Sequence, residues 1–380
     1  MSSGPRIGII DLSMGGWAAG AVVTRTMALA LQGSGADVVF FTNQKDSAPS
    51  GIPAYSAPPA VYLPGEWTLR KLSGKKEKNL IPALAKKHGV DVLLPVVGSR
   101  RMDGVDSIGW IPDFQHLHLS DLYTEEQRSI FNKEFGELAA RSKRMLFSSN
   151  DSRGDFVKNY PEYAAKAKVA SFPSLFAFES PEGSATTARG KYHLPEKFLL
   201  VINQFWRHKN HRVVVESLAI LRKRGLSITT VMVGLPADHR DKQNGVLSEM
   251  FQSAVTNEVW NQCLVLGKVS REDIVSLLRT ATAVIQPSRF EGWNTTIQDA
   301  KTLGCPFFVS DLPVHREQCP NALGFFPPEN ADALADVIAA SWNDLPSRPN
   351  PVQEATALAQ EKEFALAYGR QLVEICSDLS

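Results

Sequence analysis

The feature that most restricts the fold is an alternation, run through twice, between short apolar β-branched segments and longer helical ones. Parallel α/β architecture produces this pattern, because each buried strand must be followed by a crossover helix. In the first series, strands are expected at Arg6–Asp11, Ala36–Thr42, Asp91–Val97, Ser107–Ile111 and Arg144–Ser148, with a helix over Trp17–Gln32 closed by Gly33 and Gly35. Between about Ala177 and Glu196 large apolar residues become scarce, as in a linker. A second series follows, with strands at Lys197–Asn203, Ser227–Gly234, Gln262–Leu266, Thr282–Gln286 and Pro306–Ser310. Its helices are expected at Arg212–Arg224, Arg271–Arg279 and Thr295–Leu303, then near Asp332–Trp342 and over Gln353–Leu379.

A chain of 380 residues exceeds what one core usually supports, so two domains are expected. The boundaries fall at residues 1–185 and 186–350, with a C-terminal helix over 351–380 packing back toward the N-terminal domain. A net charge of +1 leaves no global basic excess for nucleic acid, which is excluded as the main partner. The four cysteines form no CxxC pair and follow no secretory signal, and no apolar run reaches the roughly 20 residues that span a bilayer. A cytoplasmic protein is expected. The basic stretch Arg70-Lys71, Lys75-Lys76-Glu77-Lys78 and Lys86-Lys87 is a candidate for peripheral contact with the inner face of a membrane, against a plain solvated surface.

Four segments carry candidate chemistry. Gly15 and Gly16, in the loop after the first strand, allow close approach of an anionic ligand to the next helix start. The second strand ends Phe41-Thr42-Asn43, without the carboxylate that a dinucleotide site wants, and a tight packing turn is the alternative. Arg207 and Lys209, between a strand and a helix, suit a diphosphate, whereas His208 and His211 lack the Cys, Asp or Glu companions of a metal site. No metal is expected. Asp113, His116 and His118 offer acid, base and hydrogen-bonding groups just past another strand, although either histidine alone fits simple packing equally well.

The fourth segment is the most specific. Pro287-Ser288-Arg289-Phe290-Glu291-Gly292-Trp293-Asn294-Thr295 passes from a strand through a loop into a helix that carries Asp299, and Gly304 and Pro306 follow. Backbone N–H groups of Gly292, Trp293, Asn294 and Thr295 can hold phosphate and sugar oxygens. Glu291 and Asp299 can accept hydrogen bonds from hydroxyls at two ends of a polyol.

This run resembles the retaining glycosyltransferases of family four, the group 1 transferases, in Pro287, Ser288, Glu291, Gly292, Asp299, Ala300, Gly304 and Pro306. The resemblance extends to Asn203–Asn210, Leu266–Ser270 and Ser310–Glu317, and more loosely to Gly15-Gly16 and Trp110–Leu119. It implies a GT-B fold, two doubly wound Rossmann-like domains facing a central cleft. It also implies metal-independent transfer of a sugar from a nucleotide-diphosphate sugar, a donor substrate rather than a cofactor, to a glycan or lipid-linked glycan acceptor. Glu291 would contact the transferred sugar, Asp299 the ribose, and Lys209 with Arg207 the diphosphate, while Asp113, His116 and His118 would lie on the acceptor side. The setting implied is bacterial surface polysaccharide synthesis, with GDP-mannose a candidate donor. Two positions depart from the pattern: Asp299 replaces the usual Glu, and Gln204 stands where an Arg is often found. An epimerase or phosphorylase of the same fold, or a nucleotide-sugar-binding protein without turnover, are the alternatives.

Overall fold

The computed structural model describes residues 4–15, 17–44, 47–57, 79–98, 100–179, 187–235 and 245–379. Gly16 and residues 70–78 of the basic stretch lie outside them. The chain divides into two compact units, one of residues 1–178 with 362–380, the other of residues 179–361.

The first unit is built on seven parallel strands: β1 (Ile7–Ile10), β2 (Val38–Thr42), β3 (Ala54–Ser56), β4 (Val92–Val96), β5 (Asp106–Trp110), β6 (Arg144–Phe147) and β7 (Ala167–Val169). Their order is β3-β2-β1-β4-β5-β6-β7. Strands β1, β2 and β4 are buried along their whole length, as the uninterrupted apolar runs require of a sheet covered on both faces. The terminal residues complete this unit. Gly369 leaves room for the Ala30 carbonyl and the Ser34 side chain, which a Cβ would overlap. Gln371 donates to the Val169 carbonyl of the edge strand β7 at 2.7 Å, a contact that occupies an otherwise open sheet edge.

The second unit carries six parallel strands: β8 (Leu199–Ile202), β9 (Thr230–Val233), β10 (Cys263–Gly267), β11 (Ala283–Gln286), β12 (Phe307–Ser310) and β13 (Gly324–Phe326). Their order is β10-β9-β8-β11-β12-β13. Val201, Phe205, Val214, Leu218, Met232, Ile285, Phe308, Phe326 and Leu334 belong to its core. The chain leaves β8 in one direction and β11 in the other, so the sheet has its switch point between these neighbours. Loops at the carboxyl ends of such strands diverge and leave a crevice, the usual ligand position in open α/β sheets.

All ten strands expected from the sequence are present. The three-residue strands β3, β7 and β13 are additional, and each ends or extends a sheet. Each unit by itself is doubly wound, as the GT-B fold expected from the sequence requires of its domains.

Close packing at the crevice depends on Gly234, just past β9, where a Cβ would overlap the Asn203 carbonyl oxygen. We expect Gly234→Ala to lose about 1–3 kcal/mol of stability in urea titration. Gly33→Ala, with open space where the added Cβ would point, should leave the midpoint unchanged or raise it.

Candidate functional site

The two loops at the switch point of the second unit hold the residues singled out above. After β8 the chain runs through Asn203 and a turn at Arg207–Lys209 into the helix His211–Lys223. Asn210 adopts a left-handed conformation, φ 55°, and starts this helix without a side-chain cap. Its amide instead donates to the carbonyls of Pro287, at 3.1 Å, and Pro328, at 2.7 Å. After β11 the chain runs through Pro287–Trp293 into the helix Thr295–Thr302, whose N-cap Asn294 accepts from the Ile297 N–H at 3.0 Å.

Polar contacts join the two loops. The side-chain amides of Asn203 and Gln286 exchange hydrogen bonds of 3.1 and 3.2 Å. The Arg289 N–H donates to the His208 carbonyl at 2.8 Å. The Lys209 ammonium lies 2.6 Å from Glu291 Oε1, and Gln286 Nε2 donates to the same oxygen at 3.0 Å. Glu291 is 9% exposed and Lys209 14%, so the two charges meet largely out of water. Burial by itself pushes the Glu291 carboxyl upward; the adjacent Lys209, with a hydrogen bond from Ser288, overrides this and holds it below its ordinary value.

The helix Thr295–Thr302 is fixed at both ends. Gln318 accepts from the Asn294 N–H at 3.1 Å and donates to its carbonyl at 2.7 Å. At the other end the buried Arg348 donates to the carbonyls of Leu303, at 2.9 Å, and Gly304, at 2.7 Å, where a cation also suits the helix dipole. Gly292 and Asn294 are buried, Trp293, Thr295 and Asp299 half-buried, and Asp299 sits about one turn into this helix, beyond the loop that carries Glu291.

Arg207 stands apart from this network, in a half-exposed ion pair with Glu249 at 3.2 Å. Gln204, at the position where an Arg is often found, accepts from the Leu235 N–H at 2.8 Å and so ties down the chain leaving β9. His211 is fully buried and stacked on Phe205 at 4.3 Å, and burial, with Lys209 nearby, pushes its imidazole down to about 3. Its role is in packing.

In the first unit, Gly15 closes a short 3-10 turn after β1. The buried Asp11 anchors this turn, accepting from the Ser13 N–H at 2.8 Å and the Thr42 hydroxyl at 2.7 Å. Beyond β5, Asp113 accepts from the Gln115 N–H at 2.9 Å. His116 is buried against Phe131 and Phe135 and bonded to Asn132 at 2.9 Å; burial lowers its pKa. His118 is half-exposed and pairs with Asp155 at 2.7 Å, which raises its pKa. The two histidines therefore face different surroundings, one apolar and one ionic. Among the described residues, no group of three or more His, Cys, Asp or Glu is placed to hold a metal ion, and no helix is long and apolar enough to cross a membrane.

The sequence reading assigned no role to Gln286, at the head of the donor-site run, or to His315, within the Ser310–Glu317 stretch, and did not reach Gln318. Gln286 had a signal, a fully buried amide ending an otherwise apolar strand. Gln318 had none, because its partners Asn294 and Gln298 lie on a segment that only the fold brings to it.

The charges at these positions have measurable consequences. Lys209→Met leaves a buried carboxylate unpaired, which costs about 3–5 kcal/mol at pH 7. Because the folded pKa of Glu291 is depressed, its stabilising contribution is full above the unfolded value of about 4.3 and is lost as pH falls through the folded one. The melting gap between wild type and Lys209→Met should thus narrow on acidification, and adding Glu291→Gln should recover part of the loss. Simple additivity of the two substitutions would contradict the pairing. For His118 the sign is opposite. Its raised pKa gives a contribution that is full below about 6.5 and lost as pH rises through the folded value. Asp155→Asn should therefore lower the melting temperature at pH 5–6 and have little effect above pH 9.

Residues 185–357 match the family described as glycosyl transferases group 1. The chain is 24% identical over 249 residues to the O-antigen chain mannosyltransferase B of Escherichia coli, covering 64% of this chain and 63% of that protein, less than two thirds of its length. It is 21% identical over 350 residues to the alpha-D-kanosaminyltransferase of Streptomyces kanamyceticus, covering 87% of this chain and 86% of the relative. Among solved structures, a glycosyltransferase from Rickettsia africae superposes with a TM-score of 0.69 at 15% identity, covering 100% of this chain and 99% of that one. HepE of Anabaena, in complex with UDP and glucose, gives a TM-score of 0.68 at 15% identity, covering 98% and 100%. The group 1 match falls within the second unit, over the loops at its switch point, and the solved neighbours share the two-sheet GT-B architecture of this chain.

Proposed function

We propose that the protein transfers a sugar, with retention of configuration, from a nucleoside-diphosphate sugar to a hydroxyl of a glycan or lipid-linked glycan. The observation that carries this reading is the buried Lys209–Glu291 pair at the switch point, beside the start of the helix Thr295–Thr302. A fixed cation and helix N–H groups suit a diphosphate, and a carboxylate kept ionised suits sugar hydroxyls.

In the reaction the bond between the anomeric carbon and the β-phosphate oxygen breaks as the acceptor oxygen bonds to the same face of that carbon. The acceptor proton passes to the departing phosphate, so no separate base is required. Lys209 and the N–H groups of Gly292, Trp293 and Thr295 stabilise the charge that develops on the diphosphate, with no metal taking part. Glu291 orients the sugar through its hydroxyls, and Asp299 holds the ribose. Arg207 reaches the diphosphate by exchanging its exposed partner Glu249, a contact of small energetic weight. Gly15 and Gly16 are the first unit's candidates for contact with the donor. Asp113, His116 and His118 belong to the acceptor side, where His118 with Asp155 is the group suited to contact a hydroxyl and His116 supports it from within the aromatic cluster. A cytoplasmic enzyme of bacterial surface polysaccharide synthesis, touching the membrane's inner face when its acceptor is lipid-linked, accords with the mannosyltransferase relative, and GDP-mannose is the first donor to try.

A thermal-shift screen against UDP-, GDP-, ADP- and dTDP-sugars identifies the donor, and product analysis then tests the reaction. We expect a glycoside of unchanged anomeric configuration, formed equally well in the presence of EDTA. Glu291→Gln should reduce transfer by at least about a hundredfold while the far-UV spectrum is retained. A sugar nucleotide epimerised without acceptor, or turnover that requires inorganic phosphate, would replace this reading with an epimerase or a phosphorylase.

A further inference from the structure

His315 lies on the short helix Pro313–Gln318, beyond β12, and is completely buried. Its Nδ1 is 2.8 Å from the Ser310 carbonyl oxygen. A carbonyl only accepts, so Nδ1 carries the proton of the neutral ring and Nε2 is left as a bare acceptor. The ring is neutral at pH 7: burial lowers its pKa, against the opposing pull of Glu291. The Ser310 hydroxyl donates to the Ser288 carbonyl at 2.6 Å, and Ser288 Oγ accepts from Gln286 at 2.9 Å. A continuous chain of hydrogen bonds thus leads from His315 through Ser310, Ser288 and Gln286 to Glu291. The charged groups that bear on the ring are Glu291, Lys209 and Asp311.

Within this connected network Nε2 is anomalous. It is buried and has no hydrogen-bond partner among the described residues. A buried acceptor left unmatched costs about 1–3 kcal/mol, and such an atom in an otherwise satisfied polar network calls for a donor from outside the chain. We propose that His315 is a sugar-binding residue of the donor site, its Nε2 accepting a hydrogen bond from a hydroxyl of the transferred sugar while its Nδ1–H is committed to Ser310. The inference rests on the donor-site reading above and adds to it a neutral acceptor that works alongside the ionised Glu291. A carboxylate attracts any donor. A neutral, tautomer-fixed nitrogen accepts from a hydroxyl but offers nothing to a group that can only accept, so it selects among sugars by hydroxyl placement.

The side chains of Asn and Gln separate the two nitrogens. The amide of Asn falls at the Nδ1 position and that of Gln at the Nε2 position. Affinities for UDP, UDP-glucose, GDP and GDP-mannose are measured by calorimetry on the full chain, and the ratio between each diphosphate and its sugar form isolates the sugar's contribution. His315→Asn should bind the bare diphosphate like wild type while the sugar's contribution falls about two- to twelvefold, the range of one hydrogen bond. His315→Gln should keep that contribution and melt at a lower temperature, having lost the Ser310 contact. Equal weakening of both forms by His315→Asn makes the residue purely structural and overturns the proposal. Wild-type protein that binds none of the four compounds would instead remove the donor-site reading for these nucleotides, and this inference with it. A second measurement does not depend on any variant folding. In ¹⁵N-histidine spectra of the wild type, the Nε2 resonance of His315 should move on addition of the sugar nucleotide that binds and stay in place with its diphosphate. A resonance indifferent to the sugar nucleotide also overturns the proposal.

Discussion

The ion pair between Lys209 and Glu291 is the contact around which the second unit's crevice is arranged. Two charges brought together with little solvent left to them are costly, and only close geometry with further hydrogen bonds offsets the loss of hydration. The surrounding residues supply those bonds. Gln286 donates to the carboxylate, Asn203 holds Gln286 in register, and Ser288 is clamped by Ser310. Each of these side chains sits at or just beyond the carboxyl end of a strand, so the sheet fixes their origins and the loops need span only short distances. The pair works as a gauge of spacing, because loops set further apart would leave both charges stranded.

The helix Thr295–Thr302 shows the same economy. Eight residues form a marginal helix by themselves, yet this one must present its first N–H groups at a defined place. Asn294 caps it, Gln318 holds the cap from both sides, and Arg348 neutralises the far end. The guanidinium of Arg348 is buried among carbonyl oxygens, a position that the planar, fork-shaped group tolerates better than an ammonium would. Position is thus secured at both termini.

The doubly wound architecture was legible in the sequence because fully buried parallel strands read as unbroken apolar runs. Ile7-Gly8-Ile9-Ile10 and Ala283-Val284-Ile285 are such runs, and the helices between them are long enough to show their period. Strands β3, β7 and β13 were not legible, since three residues cannot display a period and their pairing is decided by neighbours far along the chain. The candidate site was legible as two segments but not as one object. Lys209 and Glu291 are 82 residues apart, and nothing local states that they touch. The contrast between His116 and His118 was equally hidden. Residues two apart on a short helix have opposite environments because Phe131 and Phe135 cover one and Asp155 meets the other. Arg207 illustrates the same limit, since its partner Glu249 comes from a helix that begins beyond the next strand.

The last residues of the chain belong to the first unit, where Gly369 fits against Ala30 and Ser34, Gln371 occupies the edge of β7, and Arg144 meets Asp378 at 3.3 Å. This has a consequence for synthesis. A ribosome delivers residues 179–361 in full before the segment that closes the first unit has emerged. The second unit is therefore free to fold first, although it is encoded second. The first must wait with the edge of β7 uncovered, and that interval is when the nascent chain is most open to strand pairing with a neighbour.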